Sequence, residues 1–162
     1  MEKVVLGLSG GVDSAVAARL LQEQGCEVCG LYMDIAGDEA RADAQRVAEE
    51  LGVSLVVADV AAAQEEFVRR PFVDAYLRGE TPNPCILCNP AVKFKTLLDY
   101  ADTIGAQTVA TGHYIRAENG MILKGRAEND QSYMLCRLRR EQAARLRMPL
   151  GPYNKEEVRA LA

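Results

Sequence analysis

Short apolar runs and amphipathic stretches follow one another along this chain, and their order predicts alternating strands and helices. Continuous apolar runs indicate buried strands, whereas apolar residues that recur every three or four positions indicate helices with one buried face. Strands are predicted over residues 3–8, 28–33, 54–58 and 107–110, and helices over residues 13–24, 38–51, 61–78 and 92–104. This alternation favours an α/β fold with a doubly wound, mainly parallel five-stranded sheet and helices on both faces.

The second half of the chain carries turn and cap signals. Asn119-Gly120 predicts a type I′ turn in a hairpin over residues 114–124. Residues 139–147 are predicted to form a basic amphipathic helix. A last helix begins at Asn154 with a capping-box pattern. Because the sequence ends within that short helix, we expect it to be part of a longer protein, and a natural frayed terminus is the alternative.

Composition narrows the class of protein. Hydrophobic residues make up 49% of the 162 positions, which is enough for a sizeable core. No apolar run approaches the ~18 residues of a membrane span, and no signal-peptide pattern is present, so we expect a cytoplasmic protein without a membrane partner. Five cysteines without a secretory signal favour reduced or reactive thiols over a disulfide scaffold. The net charge of −4 does not by itself indicate nucleic-acid binding.

The most informative segment is a glycine turn, Ser9-Gly10-Gly11-Val12-Asp13-Ser14, between the first predicted strand and the first predicted helix. Gly10 and Gly11 can adopt backbone angles that other residues avoid, so their N–H groups can form an anion-binding nest. The start of the helix and the hydroxyls of Ser9 and Ser14 add further donors. We therefore predict a phosphate or pyrophosphate site. It is not a Walker A loop, because no lysine follows the glycines; an ordinary glycine turn with a helix cap is the structural alternative.

Two residues are predicted to face this turn. Ligands of parallel α/β sheets bind beyond the carboxyl ends of the strands. If the fourth predicted strand lies beside the first, Gly112 faces the glycine turn, and its lack of a side chain lets the backbone approach a nucleotide. Met33, at the end of the second strand, either flanks an adenine or packs in the core, and the pattern leaves both open.

A second candidate site is the segment Thr81-Pro82-Asn83-Pro84-Cys85-Ile86-Leu87-Cys88-Asn89, within a predicted proline-rich loop over residues 79–90. Its two cysteines precede the helix predicted from residue 92, and a thiol near a helix N-terminus has a depressed pKa and more thiolate. Lys93 and Lys95 would add to that effect. A thiolate suits nucleophilic or sulfur-transfer chemistry. A metal half-site, an iron–sulfur cluster and a structural turn stay open.

The glycine turn resembles the PP-loop of the ATP pyrophosphatases, which implies cleavage of ATP between its α and β phosphates, with Asp13 near a bridging magnesium ion. Taken with four other motifs in the same order, the chain is similar to the N-terminal part of the tRNA-specific 2-thiouridylase family. Those motifs are Thr-Pro-Asn-Pro-Cys-x-x-Cys-Asn, Lys93-Phe94, Ala110-Thr111-Gly112-His113-Tyr114 and Asn129-Asp130-Gln131-Ser132-Tyr133. The resemblance implies an adenine nucleotide alpha hydrolase-like, Rossmann-like fold.

The family resemblance implies a two-step reaction on tRNA. ATP adenylates the C2 oxygen of the wobble uridine and pyrophosphate leaves. Sulfur carried as a cysteine persulfide then replaces the activated oxygen, and AMP leaves. The implied cofactors are ATP and Mg²⁺, and the implied partners are tRNA and a sulfur-donor protein. The target base would be extruded into a pocket lined by ATP and a thiol.

Residue roles follow from the resemblance where the motifs match. Cys88 is implied as the nucleophile, and Asp13 as a catalytic residue through the magnesium ion. ATP binding is implied for Gly7, Leu8, Ser9, Gly10, Gly11, Val12, Asp13, Ser14, Met33 and Gly112. Contact with the target base is implied for Asn83, Pro84 and Cys85, and contact with tRNA for Asn129, Asp130 and Gln131. A disulfide bond is a further implied feature, while Cys85 and Cys88 acting singly, pairing or holding a cluster all stay open.

The resemblance also divides the chain. Residues 1–117 would form a PP-loop ATP-binding domain, and residues 118–162 the hairpin and helical start of a tRNA-binding region. The family's persulfide-bearing cysteine lies beyond this sequence, so we expect the isolated chain to activate poorly and not to thiolate. The alternatives are a non-catalytic ATP-binding or tRNA-docking fragment and another PP-loop sulfurtransferase or ligase.

Overall fold

The computed structural model describes residues 1–35, 40–126 and 128–162. The strands are β1 (Lys3–Gly7), β2 (Glu27–Asp34), β3 (Ser54–Asp59), β4 (Thr108–Ala110), β5 (Ile115–Glu118), β6 (Met121–Lys124) and β7 (Leu146–Arg147). The α-helices are α1 (Val12–Glu23), α2 (Ala40–Leu51), α3 (Ala61–Gln64), α4 (Arg70–Leu77), α5 (Cys85–Cys88), α6 (Phe94–Thr103), α7 (Arg140–Ala143) and α8 (Lys155–Leu161). The other helical turns are two π-helical turns, Glu65–Arg69 and Asn89–Lys93, and a 3₁₀ turn, Ser132–Leu135.

A five-stranded sheet in the order β3-β2-β1-β4-β7 organises the chain, and each neighbouring pair in it is parallel. This confirms the predicted fold class. The chain runs outward from β1 to β2 and β3 on one side, and β4 and β7 extend the sheet on the other. The carboxyl end of β1 therefore lies at the topological switch point, where such sheets bind ligands.

Helices cover both faces of this sheet because β1 is apolar on both. Val4 and Leu6 belong to one core cluster, with residues of α1, α2 and α8, and Val5 belongs to a second cluster that includes α6. Successive residues of a strand point to opposite faces, so the apolar run packs in both directions. All three side chains are fully buried.

The predicted helix over residues 61–78 forms with an irregularity. A π-helical turn, Glu65–Arg69, separates α3 from α4, and Pro71 lies in the first turn of α4. Pro71 has no N–H to donate and its ring crowds the carbonyl four residues earlier, so the helix widens there instead of breaking. The helix predicted over 38–51 is described from Ala40; residues 38 and 39 lie outside the described residues.

The prediction of a loop over residues 79–90 is wrong for its second half, because helical structure begins at Cys85. Pro84 occupies the N-cap with φ −65°, and Asn83 Oδ1 accepts a 3.1 Å hydrogen bond from the Cys85 N–H. Proline is compatible with the start of a helix, and an Asn side chain can fold the chain into the first turn. The two cysteines are therefore part of the helical run and do not precede it.

The helix predicted over residues 139–147 is also largely wrong. Only α7, Arg140–Ala143, is helical, and Leu146–Arg147 is the fifth strand of the main sheet, paired with β4. The Arg145 guanidinium donates to the carbonyls of Gln107 (2.9 Å) and Ala106 (3.1 Å), which anchors this segment at the start of β4. Tertiary contacts here override the helical pattern.

The hairpin and the last helix are confirmed. Asn119 and Gly120 have φ values of 53° and 74°, as a type I′ turn requires, and they join the antiparallel strands β5 and β6. In α8, Asn154 Oδ1 accepts from the Glu157 N–H (2.8 Å) and Glu157 Oε2 accepts from the Asn154 N–H (2.7 Å). Within the described ranges, no helix has the length and apolarity needed to cross a bilayer.

Candidate nucleotide and thiol site

A pocket of about 390 Å³ opens at the carboxyl ends of β1, β2 and β4. The strand order creates it, because the segments that leave these three strands diverge around the switch point. Residues named from the sequence that line it are Gly7, Leu8, Ser9, Asp13, Ser14, Met33, Cys88, Gly112 and Gln131. Lining residues given no ligand-binding role from the sequence include Gln64, Lys93, Thr111 and His113. The glycine turn and the cysteine segment thus share one cavity.

The two glycines of the turn have different conformations. Gly10 has φ +81°, and a Cβ at this position would lie 2.6 Å from the backbone nitrogen of Ala44 in the first half of α2. Gly11 has φ −82° and ψ 160°, which any residue adopts, and a Cβ added there would meet only Ser9 Oγ, at 3.6 Å. Of the two glycines predicted to be able to take backbone angles that other residues avoid, Gly10 does so and Gly11 does not, because the chain is already extended before α1.

Serine side chains shape the turn from within. Ser14 Oγ donates to the Gly11 carbonyl (2.9 Å) and accepts from the Ser9 N–H (3.2 Å). Ser9 Oγ lies 3.2 Å from Ser14 Oγ and accepts from the Gly11 N–H (3.4 Å). The loop is thus held closed over the first turn of α1 while Ser9 itself stays exposed. Helix α1 has no side-chain cap, so its first N–H groups remain available to an anion.

Gly112 faces the turn, as the strand order predicted. A Cβ on Gly112 would lie 2.9 Å from the carbonyl carbon of Asp13 and 3.0 Å from the backbone nitrogen of Ser14. The obstacles are backbone atoms, which cannot move aside as a flexible side chain can. The two loops that leave β1 and β4 are therefore packed together at this point, and only glycine fits between them.

Asp13 is the electrostatic centre of the turn. Its carboxylate accepts a 2.7 Å hydrogen bond from the Tyr114 hydroxyl and bonds of 2.6 and 2.5 Å from Lys155 Nζ. Burial and the adjacent carboxylate raise the pKa of Tyr114, so the phenol stays protonated and donates. Neither partner of Asp13 was found from the sequence, because they lie 101 and 142 residues away along the chain.

Cys88 lies half-buried in the pocket wall, and its Sγ donates a 3.5 Å hydrogen bond to Gln64 Oε1. Burial raises the pKa of its thiol, and the charge of Lys93 offsets that only in part. The predicted depressed pKa is therefore wrong for Cys88, because desolvation outweighs one short helical turn. Lys95 is exposed and bound to Asp99, and it does not contribute.

The other cysteines do not join Cys88. Cys85 is exposed and does not line the pocket, and all five cysteines, which lie within the described ranges, are free. The implied disulfide is therefore not present in this structure, where burial and hydrogen bonding direct Cys88 towards Gln64. Among the described residues, no group of three or more His, Cys, Asp or Glu side chains could hold a metal ion. The geometry thus gives no support to a cluster on Cys85 and Cys88.

Three polar side chains, those of Thr111, His113 and Lys93, form a connected group in the pocket wall. Thr111 Oγ1 lies 2.7 Å from His113 Nδ1, and His113 Nε2 lies 3.5 Å from Lys93 Nζ. Burial, with a smaller effect of the Lys93 charge, lowers the pKa of His113 to about 3, and burial lowers the pKa of Lys93. The imidazole is therefore neutral at physiological pH and can accept from the lysine ammonium. Lys93-Phe94 and the Gly112-His113-Tyr114 string were the sequence signals for this group.

Of the residues expected at the target base or at tRNA, only Gln131 lines the pocket, and their contacts with RNA stay predictions. Gln131 lines the pocket and is bonded to Tyr114 through its side-chain oxygen (3.0 Å) and its N–H (3.2 Å). Asp130 accepts from the N–H groups of Gly125 (2.9 Å) and Ser132 (3.1 Å). Outside the pocket lining are Gly10, Gly11, Val12, Asn83, Pro84, Cys85, Asn129 and Asp130.

Comparisons with known proteins show that the chain is similar to curated tRNA-specific 2-thiouridylases. It is 44% identical over 167 residues to the tRNA-specific 2-thiouridylase MnmA of Sulfurimonas denitrificans, covering 99% of this chain and 49% of that protein. It is 46% identical over 182 residues to the MnmA of Pelotomaculum thermopropionicum, covering 99% of this chain and 50% of that protein. The chain thus spans about half the length of the curated relatives that it matches.

Structural similarity supports the fold. The glutamine-dependent NAD⁺ synthetase of Acinetobacter baumannii, solved with adenosine diphosphate, superposes with a TM-score of 0.68 at 20% identity, covering 99% of this chain and 28% of that one. At this identity the match concerns the fold alone. The family model described as tRNA methyl transferase HUP domain matches residues 2–162. The chain therefore belongs to the tRNA methyl transferase HUP domain family, together with the tRNA-specific 2-thiouridylases that it resembles along nearly its whole length.

Proposed function

We propose that this chain is the ATP-activating part of a tRNA-uridine 2-sulfurtransferase that thiolates the wobble uridine of tRNA. The observation that carries the proposal is the shared pocket, in which the glycine turn with Asp13 and the thiol of Cys88 line one cavity. Adenylation takes place on the oxygen that C2 carries, and sulfur then bonds to C2 itself. The nucleotide site and the thiol must therefore meet around one base. A cavity lined by the glycine turn alone would be compatible with many kinds of nucleotide-binding protein and would not favour sulfur transfer.

The pocket residues fit ATP. The turn offers backbone N–H groups and the Ser9 hydroxyl, Gly112 lets the loop after β4 pack directly against the turn, and Met33 and Val60 provide an apolar wall for a base. ATP would turn the uridine C2 oxygen into a leaving group by adenylation, with release of pyrophosphate. Asp13 supplies the hard carboxylate oxygens that Mg²⁺ prefers, and a bound Mg²⁺ would neutralise phosphate charge there.

The polar residues around Cys88 suit the binding of a base in the pocket, and the raised pKa of the Cys88 thiol limits its reactivity when no base is bound. Gln131, Lys93 and His113 line the same cavity and offer hydrogen-bond groups to the edge of an extruded uridine. The outer sulfur of a persulfide, carried by a separate sulfur-donor protein or by a part of the enzyme outside this chain, bonds to the activated carbon, the carbon–oxygen bond breaks and AMP leaves. Cys88 is the proposed nucleophile that then attacks the inner sulfur of this adduct. The sulfur–sulfur bond breaks, the uridine keeps the outer sulfur, and Cys88 is left in a disulfide with the donor cysteine.

Pyrophosphate release from ATP tests the proposal. The measurement uses the native chain, Asp13→Asn and Cys88→Ser, each with and without unmodified tRNA. Asp99→Asn and Cys136→Ser are matched controls at exposed positions. We expect weak release that requires tRNA, disappears in Asp13→Asn and survives in Cys88→Ser, because Cys88 acts after activation.

Two outcomes would contradict the proposal in different ways. ATP binding without release, even with tRNA and a sulfur donor, would favour a non-catalytic ATP-binding module. Release that is equal with and without tRNA would point to another PP-loop ligase with a different acceptor. The same substitutions in a relative of full length would separate a missing part from a wrong assignment.

A further inference from the structure

Lys155 extends from the last helix to the glycine turn. Its ammonium lies 2.6 Å from Asp13 Oδ1 and 2.5 Å from Asp13 Oδ2, and 5.5 Å from the centre of the Tyr114 ring. Both oxygens of the Asp13 carboxylate are thus engaged by one cation. Lys155 thus brings a positive charge to the turn, whereas the residues that directly follow the glycines include no lysine.

Several contacts hold Lys155 in this place. It is the first residue of α8, whose N-terminus is fixed by the reciprocal bonds between Asn154 and Glu157. The Glu157 carboxylate also accepts two 2.9 Å bonds from Arg126, and Val158 is fully buried in the core that contains α1. An isolated surface ion pair contributes little, but a lysine at the start of an anchored helix has a defined position.

The turn needs such a cation if it binds a polyphosphate. Backbone N–H groups and hydroxyls donate hydrogen bonds to phosphate oxygens but do not neutralise the negative charge of the phosphates. Walker A loops supply a lysine for this purpose, and the turn described here has none. Asp13, a negative group in the first turn of α1, would repel the phosphates unless a cation neutralised it. Lys155 neutralises Asp13 in the free chain.

We propose that Lys155 is a phosphate-binding residue of the nucleotide site: its ammonium pairs with Asp13 in the free chain and moves to the phosphates when Asp13 binds a divalent cation. The exchange needs only a rotation of a flexible, half-exposed side chain, because the ammonium already lies beside the turn. This inference rests on the proposed ATP binding and extends it by naming a further residue of that site. It also makes α8 part of the site, so residues 118–162 contribute directly to nucleotide binding.

The test is a calorimetric titration of the native chain, Lys155→Met and Lys155→Arg with Mg²⁺-ATP and, separately, with adenosine. Lys95→Met is the matched control, because Lys95 also forms a 2.5 Å ion pair with an aspartate but on the exposed side of α6. We expect Lys155→Met to weaken ATP binding about tenfold, equivalent to about 1.4 kcal/mol, and to leave adenosine binding unchanged. Lys155→Arg should retain most of the ATP affinity.

A double variant separates binding of phosphate from neutralisation of Asp13. In an Asp13→Asn background, Lys155→Met should still weaken ATP binding. Equal ATP affinities of Asp13→Asn and the double variant would overturn the inference, since Lys155 would then act only on Asp13. Unchanged or tighter ATP binding by Lys155→Met, or an equal loss for ATP and adenosine, would overturn it as well.

The same titrations keep this inference distinct from the proposed function. If the native chain does not bind ATP, the proposed function fails and the inference fails with it. If the native chain binds ATP and Lys155→Met binds it equally well, only the inference fails. Thermal unfolding of each ligand-free variant checks folding, and Lys155→Arg retains the ion pair if Lys155→Met does not fold.

Discussion

The Tyr114 hydroxyl donates a 2.7 Å hydrogen bond to Asp13 Oδ1 and so joins the loop after β4 to the glycine turn after β1. Tyr114 is almost fully buried, and Gly112, two residues earlier, packs against the backbone of Asp13. The hydrogen bond therefore fixes the relative position of two loops that border the pocket at the carboxyl ends of β1 and β4. The orientation of the Asp13 carboxylate, after β1, therefore depends on Tyr114, after β4.

Tyr114→Phe should lower both stability and nucleotide affinity. Loss of a buried hydrogen bond to a charged group reduces the free energy of unfolding by about 1–2 kcal/mol, and Asp13 loses one of the groups that orient it. Urea unfolding and ATP titration measure the two effects. Tyr133→Phe, at an exposed position, is the control and should change neither. Equal behaviour of the two variants would contradict the structural role of this hydrogen bond.

The two glycines of the turn should respond oppositely to alanine. Gly10→Ala places a Cβ 2.6 Å from the Ala44 nitrogen at φ +81°, and we expect a loss of about 2–4 kcal/mol in the free energy of unfolding. Gly11→Ala should be neutral or stabilise by about 0.5 kcal/mol, because its φ of −82° suits alanine and restricts the unfolded chain. Thermal and urea unfolding of the two variants decide this, and a larger loss for Gly11→Ala would contradict the described conformation.

His113 should make the protein less stable as the pH falls. Its pKa is about 3 in the folded chain against 6.5 in the unfolded chain, so below pH 6.5 the unfolded state binds the extra proton. This contribution to stability is complete above the unfolded pKa and is lost progressively between 6.5 and about 3. Urea unfolding at about pH 7.5 and 5.5 should show a decrease of about 1 kcal/mol that is absent in His113→Gln.

The imidazole can also be observed directly, because His113 is the chain's one histidine. Its NMR signal should show a neutral ring at pH values where an exposed histidine is largely protonated. A titration midpoint near the ordinary value would contradict the burial and the contact with Lys93.

Cys88 should react with iodoacetamide more slowly than Cys85 at neutral pH. Burial raises the pKa of the Cys88 thiol and limits access to it, whereas Cys85 is exposed. Lys93→Gln should raise the Cys88 pKa further, since the Lys93 charge favours the thiolate. Peptide mapping by mass spectrometry over a range of pH gives both rates. Lys95→Gln, which removes an exposed charge, should leave the Cys88 profile unchanged, and a faster reaction at Cys88 than at Cys85 would contradict the prediction.

Much of the fold could be predicted from the amino-acid sequence, because its signals are local. The strands β1 and β2 are recognised by continuous apolar runs, and α1 by apolar residues that recur every three or four positions. Both patterns lie within the segment itself. The I′ turn at Asn119-Gly120 and the capping box at Asn154 depend on backbone angles and bonds that span at most four residues. The glycine turn is likewise a local signal, since Gly10 has a φ of +81°, and the phosphate site inferred from it stays a prediction.

The groups that meet at that site could be identified only in the folded chain. Leu146–Arg147 is a strand because β4 offers an open edge and Arg145 binds nearby carbonyls, although the local pattern favours a helix. Cys88 has a raised pKa because the surrounding residues bury it, a quantity that no spacing of cysteines encodes. Lys155 reaches Asp13 across 142 positions because α8 packs on the same core as α1. Burial and charge neutralisation depend on the whole packed chain, so they appear only once the chain has folded.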